Sequence, residues 1–320
     1  MQKDYRAIIV LSLILLAVPW LAPNRYLLSV AVLIGIDVLM VIGLNLLLGY
    51  AGQISLGHAA FYGIGGYGVA ILTVKCQWPP LAALPVALLL TAAVAWLIGK
   101  PTLRLQGHYL AMATLGFGMI VQILLGEMTD LTGGVQGISG IPKLNILGLS
   151  IQNDFAMYFV VWSFVMLVQL MVCHLVRGKV GRAFLAIHSN ELAAESLGVN
   201  TARLKLAVFV ISAVLAGLAG GLYACAINYL SPEPFGFGFS VLLVTMVIVG
   251  GMGSLWGPVL GAAILGILPE LLRNFKDFDI LIYGLLLMVI VIFLPQGTIS
   301  LFRIKKSLNF KEDFAEGGDA

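Results

Sequence analysis

The chain has 320 residues, of which 60% are hydrophobic and only 10% charged, with a formal net charge of +3 and a mean hydropathy of +1.03. A soluble domain of this size carries about 25% charged residues to wet its surface, so the composition excludes an ordinary water-soluble globule and points to lipid as the solvent. The few basic residues lie between apolar runs, which argues against a nucleic-acid surface. Cys76, Cys173 and Cys225 are scattered, with no pairing or metal-ligand spacing.

A membrane-crossing helix needs roughly 20 apolar residues. The hydropathy pattern predicts spans near 7–22, 27–48, 55–74, 81–99, 108–126, 155–176, 207–230, 240–256, 258–272 and 279–294. The expected fold is therefore all-α: a polytopic bundle of about ten transmembrane helices. The first run follows Lys3 and Arg6 like a signal peptide. It lacks a clear small-x-small cleavage site, so it reads as a retained helix. With the N-terminus inside, 13 of the 18 Lys and Arg residues fall on the inner side and 5 on the outer. That split predicts both termini in the cytoplasm. The transmembrane domain would cover 1–300, with an external loop at 127–154, a cytoplasmic loop at 177–206 and a polar cytoplasmic tail at 301–320.

Three stretches break the lipid-like pattern. The first runs from Gly49 to His58 and continues through Gly63, Gly65, Gly66 and Gly68. The second runs from Gly250 to Pro258. Glycine frees backbone groups from a helix ladder, and irregular backbone at membrane depth is tolerated only against protein or a water-filled cavity. Gly49, Gly52, Gly57, Gly250, Gly251 and Gly253 are thus expected as hinge or close-packing positions, the two roles being compatible. Glycine-broken segments in two halves of a chain also suggest inverted repeats about a translocation path. Aligning Gly49 with Gly250 matches Gly52 to Gly253 and Gly65 to Gly266 and little else, so the repeat is weak.

The third break is the polar stretch from Arg177 to Lys205. Within it Asn190 can cap a short helix, Glu191 suits the N-terminal dipole, and Gly198 can end it. It reads either as a docking element or as a solvated loop that enforces topology. Polar residues inside spans are candidates for a solute path or for helix-to-helix hydrogen bonds: Asp37, Asn45, Gln53, Ser55, His58, Gln122 and Asn228. Asp37 is the costliest and calls for a partner or water. Glu270, after Pro269, can snorkel to an external interface. No catalytic residue or metal site is expected. Ser55 and His58 could meet on one helix face, as a hydrolase would need, but no third orienting group is evident. No GxxxxGK[ST] loop is present to cradle ATP.

The run from Asn45 to Gly65, with Gly49-Tyr50-Ala51-Gly52-Gln53-Ile54-Ser55-Leu56-Gly57-His58 at its heart, resembles the LivH/LivM permeases of branched-chain amino acid importers, closer to the LivM branch. The likeness continues through Gly181–Ile187, Glu191–Gly198, Ala216–Leu222 and Gly250–Pro258, and covers roughly residues 30–300. It implies an ABC-importer permease in the bacterial inner membrane, needing no cofactor. The implied partners are a second permease, two cytoplasmic ATP-binding subunits and a periplasmic solute-binding protein, with membrane lipid around them. It also implies that Glu191, Ala193, Ala194, Glu195 and Gly198 belong to a helix that couples to the ATPase. Against the wider Glu-Ala-Ala-x3-Gly loop pattern, Ala193, Ala194 and Gly198 fit, whereas Leu192 holds the glutamate position and Glu191 stands one residue early. Urea and short-amide importers use similar permeases, and an ATPase-independent secondary transporter is the rival outside the class.

Overall fold

The structure, a computed structural model, describes residues 25–146, 149–150 and 154–272, with isolated positions 19, 284, 285 and 288. The runs expected at 7–22 and 279–294 and the 301–320 tail lie outside the described residues. The other eight runs are all helical: α1 Arg25–Asn45, continued by a π-turn at Leu46–Tyr50, α2 His58–Val74, α3 Pro80–Thr102, α4 His108–Glu127, α5 Asp154–Arg177, α8 Thr201–Ile227, α9 Phe237–Gly250 and α10 Gly257–Leu272. Between α5 and α8 stand two short helices, α6 Lys179–Ser189 and α7 Glu191–Ser196. The stretches Tyr26–Tyr50, Pro80–Thr102, His108–Glu127, Asp154–Arg177 and Thr201–Ile227 are each long and apolar enough to cross a membrane.

Burial separates centre from rim. Of the most apolar stretch of each span, 67% is buried in α1 and 61% in α8, against 28% in α3 and 22% in α4. Helix α1 packs on α5, α8, α9 and α10, and α8 packs on α1, α2 and α3. The exposed faces of α3 and α4 carry Leu89, Leu97, Tyr109, Met112, Ile120 and Ile123. That is a surface suited to lipid or to another apolar protein.

Helices α2 and α8 approach backbone to backbone. A Cβ at Gly65 would overlap the Gly217 backbone, and one at Gly220 would overlap the Tyr62 carbonyl. Hydrocarbon offers no hydrophobic drive between helices, so such close van der Waals contact through small residues is what holds them. Hydroxyls on the apolar helices bond back within their own helix, as Thr73 does to Val69 O at 2.8 Å and Thr91 to Ala87 O at 2.8 Å.

Among its described residues, the 127–154 stretch holds a single turn at Thr129–Thr132, a 3-10 turn at Gly134–Gln136 and two-residue strands. Ile138–Ser139 pairs antiparallel with Tyr229–Leu230, tying this loop to the end of α8. By contrast, the polar stretch expected as a loop over 177–206 is mostly helix. Helix α8 begins at Thr201, six residues before the apolar run, because Arg203 and Lys205 lower hydropathy without lowering helix propensity. Similarly, the run expected at 240–256 stops at Gly250, where the glycines break the ladder.

Candidate functional site

The two glycine breaks lie against each other. The π-turn at Leu46–Tyr50 and the segment 251–256 between α9 and α10 meet at Asn45, whose side chain uses both ends of its amide. Its Nδ2 donates to Ser254 O at 2.8 Å, and its Oδ1 accepts from Gly253 N at 2.9 Å. A Cβ at Gly49 would overlap Asn45 Oδ1 and the Gly253 nitrogen, so only glycine leaves room for this joint. Gly52 and Gly253, matched in the weak repeat, both sit in the left-handed region at φ +68°, where a side chain is strained. Gln169 on α5 adds a bond from Nε2 to Leu255 O at 2.5 Å. Gly253 N, Ser254 O and Leu255 O of the broken backbone are thus satisfied by protein side chains, as irregular backbone inside a membrane would require.

A second polar cluster starts α2. His58 is 1% exposed; its Nδ1 lies 3.0 Å from Ser55 Oγ and its Nε2 2.6 Å from Ser212 Oγ on α8. Whichever ring nitrogen carries the proton donates to its serine, and the other accepts. The free N–H groups of the helix start are met by hydroxyls from two other helices. Leu56 N donates to Thr114 Oγ1 of α4 at 3.0 Å, and Ala59 N to Ser240 Oγ of α9 at 3.2 Å. A Cβ at Gly57 would press on Thr114 O. Ser55 and His58 do meet, as the sequence allowed, but both are sealed and the third partner is a serine. The cluster fastens α2, α4, α8 and α9 and leaves no open nucleophile.

The remaining polar residues have mixed surroundings. Gln53 Nε2 donates to Ala51 O at 3.1 Å, within its own loop. Asn228, at φ +61°, ends α8 and donates from Nδ2 to Ile141 O at 2.7 Å, pinning the 127–154 stretch. Gln122 is half-buried against Gly236. Asp37 is half-buried on α1, and the electrostatic field of its carboxyl reaches the phenols of Tyr62 and Tyr223. Tyr26 donates to Glu270, joining the ends of α1 and α10.

The segment between α5 and α8 is anchored at several points. Asn190 Oδ1 accepts from Ala193 N at 3.1 Å, capping α7, and Gly198 turns the chain at φ +84°. Glu191 pairs with Lys205 at 2.5 Å, with the lysine side chain 5% exposed. Glu195 Oε1 accepts from Thr201 Oγ1 at 2.5 Å. Helix α7 is thus latched to the base of α8. On its other side, α6 packs on the π-turn, and a Cβ at Gly52 would sit 3.0 Å from His188 Nδ1. Ala194 is only 2% exposed, so it faces its own chain and not a partner. The outward face instead presents Leu192, 76% exposed, and Leu197, 83% exposed, beside Ala193 and Ser196.

Sequence reading missed Ser212, Ser240, Thr114, Gln169 and Lys205. Each is a lone polar residue in or beside an apolar helix, and only its distant partner reveals it.

Residues 26–294 match the family described as "Branched-chain amino acid transport system / permease component". The high-affinity branched-chain amino acid transport system permease protein LivM of Escherichia coli K12 is 36% identical over 333 residues, covering 97% of this chain and 78% of the relative. LivM of Salmonella typhimurium LT2 is 36% identical over 334 residues, with the same coverage. The corresponding LivH protein of Salmonella typhimurium is 27% identical over 278 residues, covering 81% of this chain and 89% of the relative. No solved structure matches. With most of its length matched by the family and by LivM, this chain belongs to the branched-chain amino acid transport-system permease family.

Proposed function

We propose that the chain is the LivM-like permease subunit of an inner-membrane ABC importer, and that it carries branched-chain amino acids inward. Energy comes from ATP hydrolysed on separate cytoplasmic subunits, solute arrives on a periplasmic binding protein, and a LivH-like paralogue supplies the second half of the path. Both termini and the α6–α7 segment lie on the cytoplasmic side. The observation that carries the reading is the latch of α7. A capped helix with two exposed leucines is tied by Glu191–Lys205 and Glu195–Thr201 to a central membrane helix. That is a lever with a free docking face and a stiff link to the bundle core.

The test is transport by the assembled complex in proteoliposomes. ATP-dependent uptake of radiolabelled leucine, competed by isoleucine and valine but not by urea, is the expected result. Uptake of urea in preference to leucine, or leucine uptake without the ATPase subunits, would overturn the assignment.

A further inference from the structure

Asp37 stands at the middle of the helical run Tyr26–Tyr50. At 1.5 Å per residue it lies about 16 Å from the helix start, close to the mid-depth of a ~30 Å hydrocarbon core. Its carboxyl makes no hydrogen bond or ion pair with any described residue, nor do the hydroxyls of Tyr62 and Tyr223. None of these oxygens is among the sealed, partnerless polar atoms of the described residues. The rings around them are closely packed. Tyr62 lies 5.4 Å from Tyr223, 5.5 Å from Phe239 and 5.1 Å from Phe235. Asp37, Tyr223 and Phe239 are half-buried, whereas Tyr62 is 3% exposed.

An acid at mid-membrane is costly and normally carries a partner. Elsewhere in the bundle Asn45 and His58 are satisfied within the protein, and among the described residues the sealed Tyr67 hydroxyl and Gln169 Oε1 lack a partner but carry no charge. Among the described residues, the Asp37 group alone combines a free carboxyl, two free phenols and aromatic faces. Those are the features that bind an organic ammonium: an opposite charge, hydrogen-bond acceptors and ring faces for a cation–π contact. Phe235 and Phe239 add an apolar shelf for a branched side chain.

We propose that Asp37, Tyr62 and Tyr223 form an intramembrane way-station for the α-ammonium group of the transported amino acid. This rests on the transport reading above and assigns it a contact inside the permease. The carboxylate takes the ammonium as the solute passes, the phenols share its protons, and the site is vacated when the path opens inward.

The test uses the complete importer in proteoliposomes, with radiolabelled leucine as probe. Asp37→Asn keeps the shape and removes the charge. Losing a charge-assisted contact should lower leucine transport about tenfold or more. Complex assembly and basal ATP hydrolysis should stay at wild-type values, so that less leucine moves per ATP, and Asp37→Glu should restore part of the rate. Wild-type leucine transport by the asparagine variant would overturn the site. So would parallel loss of transport and basal hydrolysis in an assembled complex, which marks a structural carboxyl. If the asparagine variant does not assemble, the double change Tyr62→Phe and Tyr223→Phe decides: transport lowered several-fold with assembly intact supports the site, and an unchanged rate overturns it. If the wild-type importer carries no leucine, the transport reading itself fails, a result distinct from any of these.

Discussion

Asn45 carries more than an amide on an apolar helix usually does. Its carboxamide closes the joint between two backbone breaks, and neither Gly253 N nor Ser254 O has a helix ladder to return to. Substituting Asn45 by alanine leaves both groups unsatisfied in an apolar surrounding, at about 1–3 kcal/mol for each orphan. The expected result is a melting temperature in detergent lowered by several degrees. Gly49→Ala is expected to do comparable damage by a different route, because its Cβ would overlap Asn45 Oδ1 and the Gly253 backbone, neither of which can yield cheaply. If Asn45→Ala melts with the wild type, the joint contributes nothing to stability. The His58 cluster follows the same logic, with hydroxyls replacing the water that a helix start would otherwise use.

Among elements, α7 is six residues long, far below the length at which a helix holds in water by itself. Its order must come from the cap at Asn190 and from the latch to α8. Lys205 is 5% exposed, so removing its partner leaves a nearly buried charge unpaired, which costs more than removing the pair. Glu191→Gln alone should therefore raise amide exchange across Glu191–Ser196 by about tenfold or more, while the double change Glu191→Gln with Lys205→Met lies closer to wild type. Equal exchange in all three proteins would remove the latch. The cap, the stop at Gly198 and the eight described apolar helices, five of them long enough to cross a membrane, were legible in the sequence because each depends on neighbours within a few residues. The latch was not: Lys205 reads as one more basic residue of a topology signal, and only the fold brings it to Glu191. Ser212 and Ser240 were hidden in the same way, since a single serine in an apolar helix looks like a small packing residue until His58 or the start of α2 is set beside it. Ala194 shows the converse case. The family resemblance places it in the coupling helix, yet its side chain faces inward, and Leu192 and Leu197 hold the outer face.

At the scale of the molecule, α6 and α7 connect two things that must move together in a transporter. Helix α6 rests on the first glycine break, where His188 approaches Gly52, and α7 is latched to α8, which packs through Gly217 and Gly220 on α2. A push on this pair of helices therefore reaches both the broken segment and the core helix that shares the His58 cluster. Such a push needs a handle, and large apolar side chains exposed beside a polar segment are what a partner protein would seat. On the proposed function Leu192 and Leu197 are that handle, since both stand clear of the chain's own core. Leu197→Arg adds charge and bulk to this face without touching Ala194, the cap or the latch. The variant is expected to insert and melt like the wild type, yet to lose the proposed ATP-binding partner in co-purification and to transport at under about a tenth of the normal rate, as the loss of a docking hot spot implies. Ala193→Ser, a small polar change on the same face, should leave both readouts intact. Co-purification of the partner with the Leu197→Arg chain at wild-type stoichiometry, together with undiminished uptake, would move the docking face away from α7 and leave the latch holding a helix with no load to transmit.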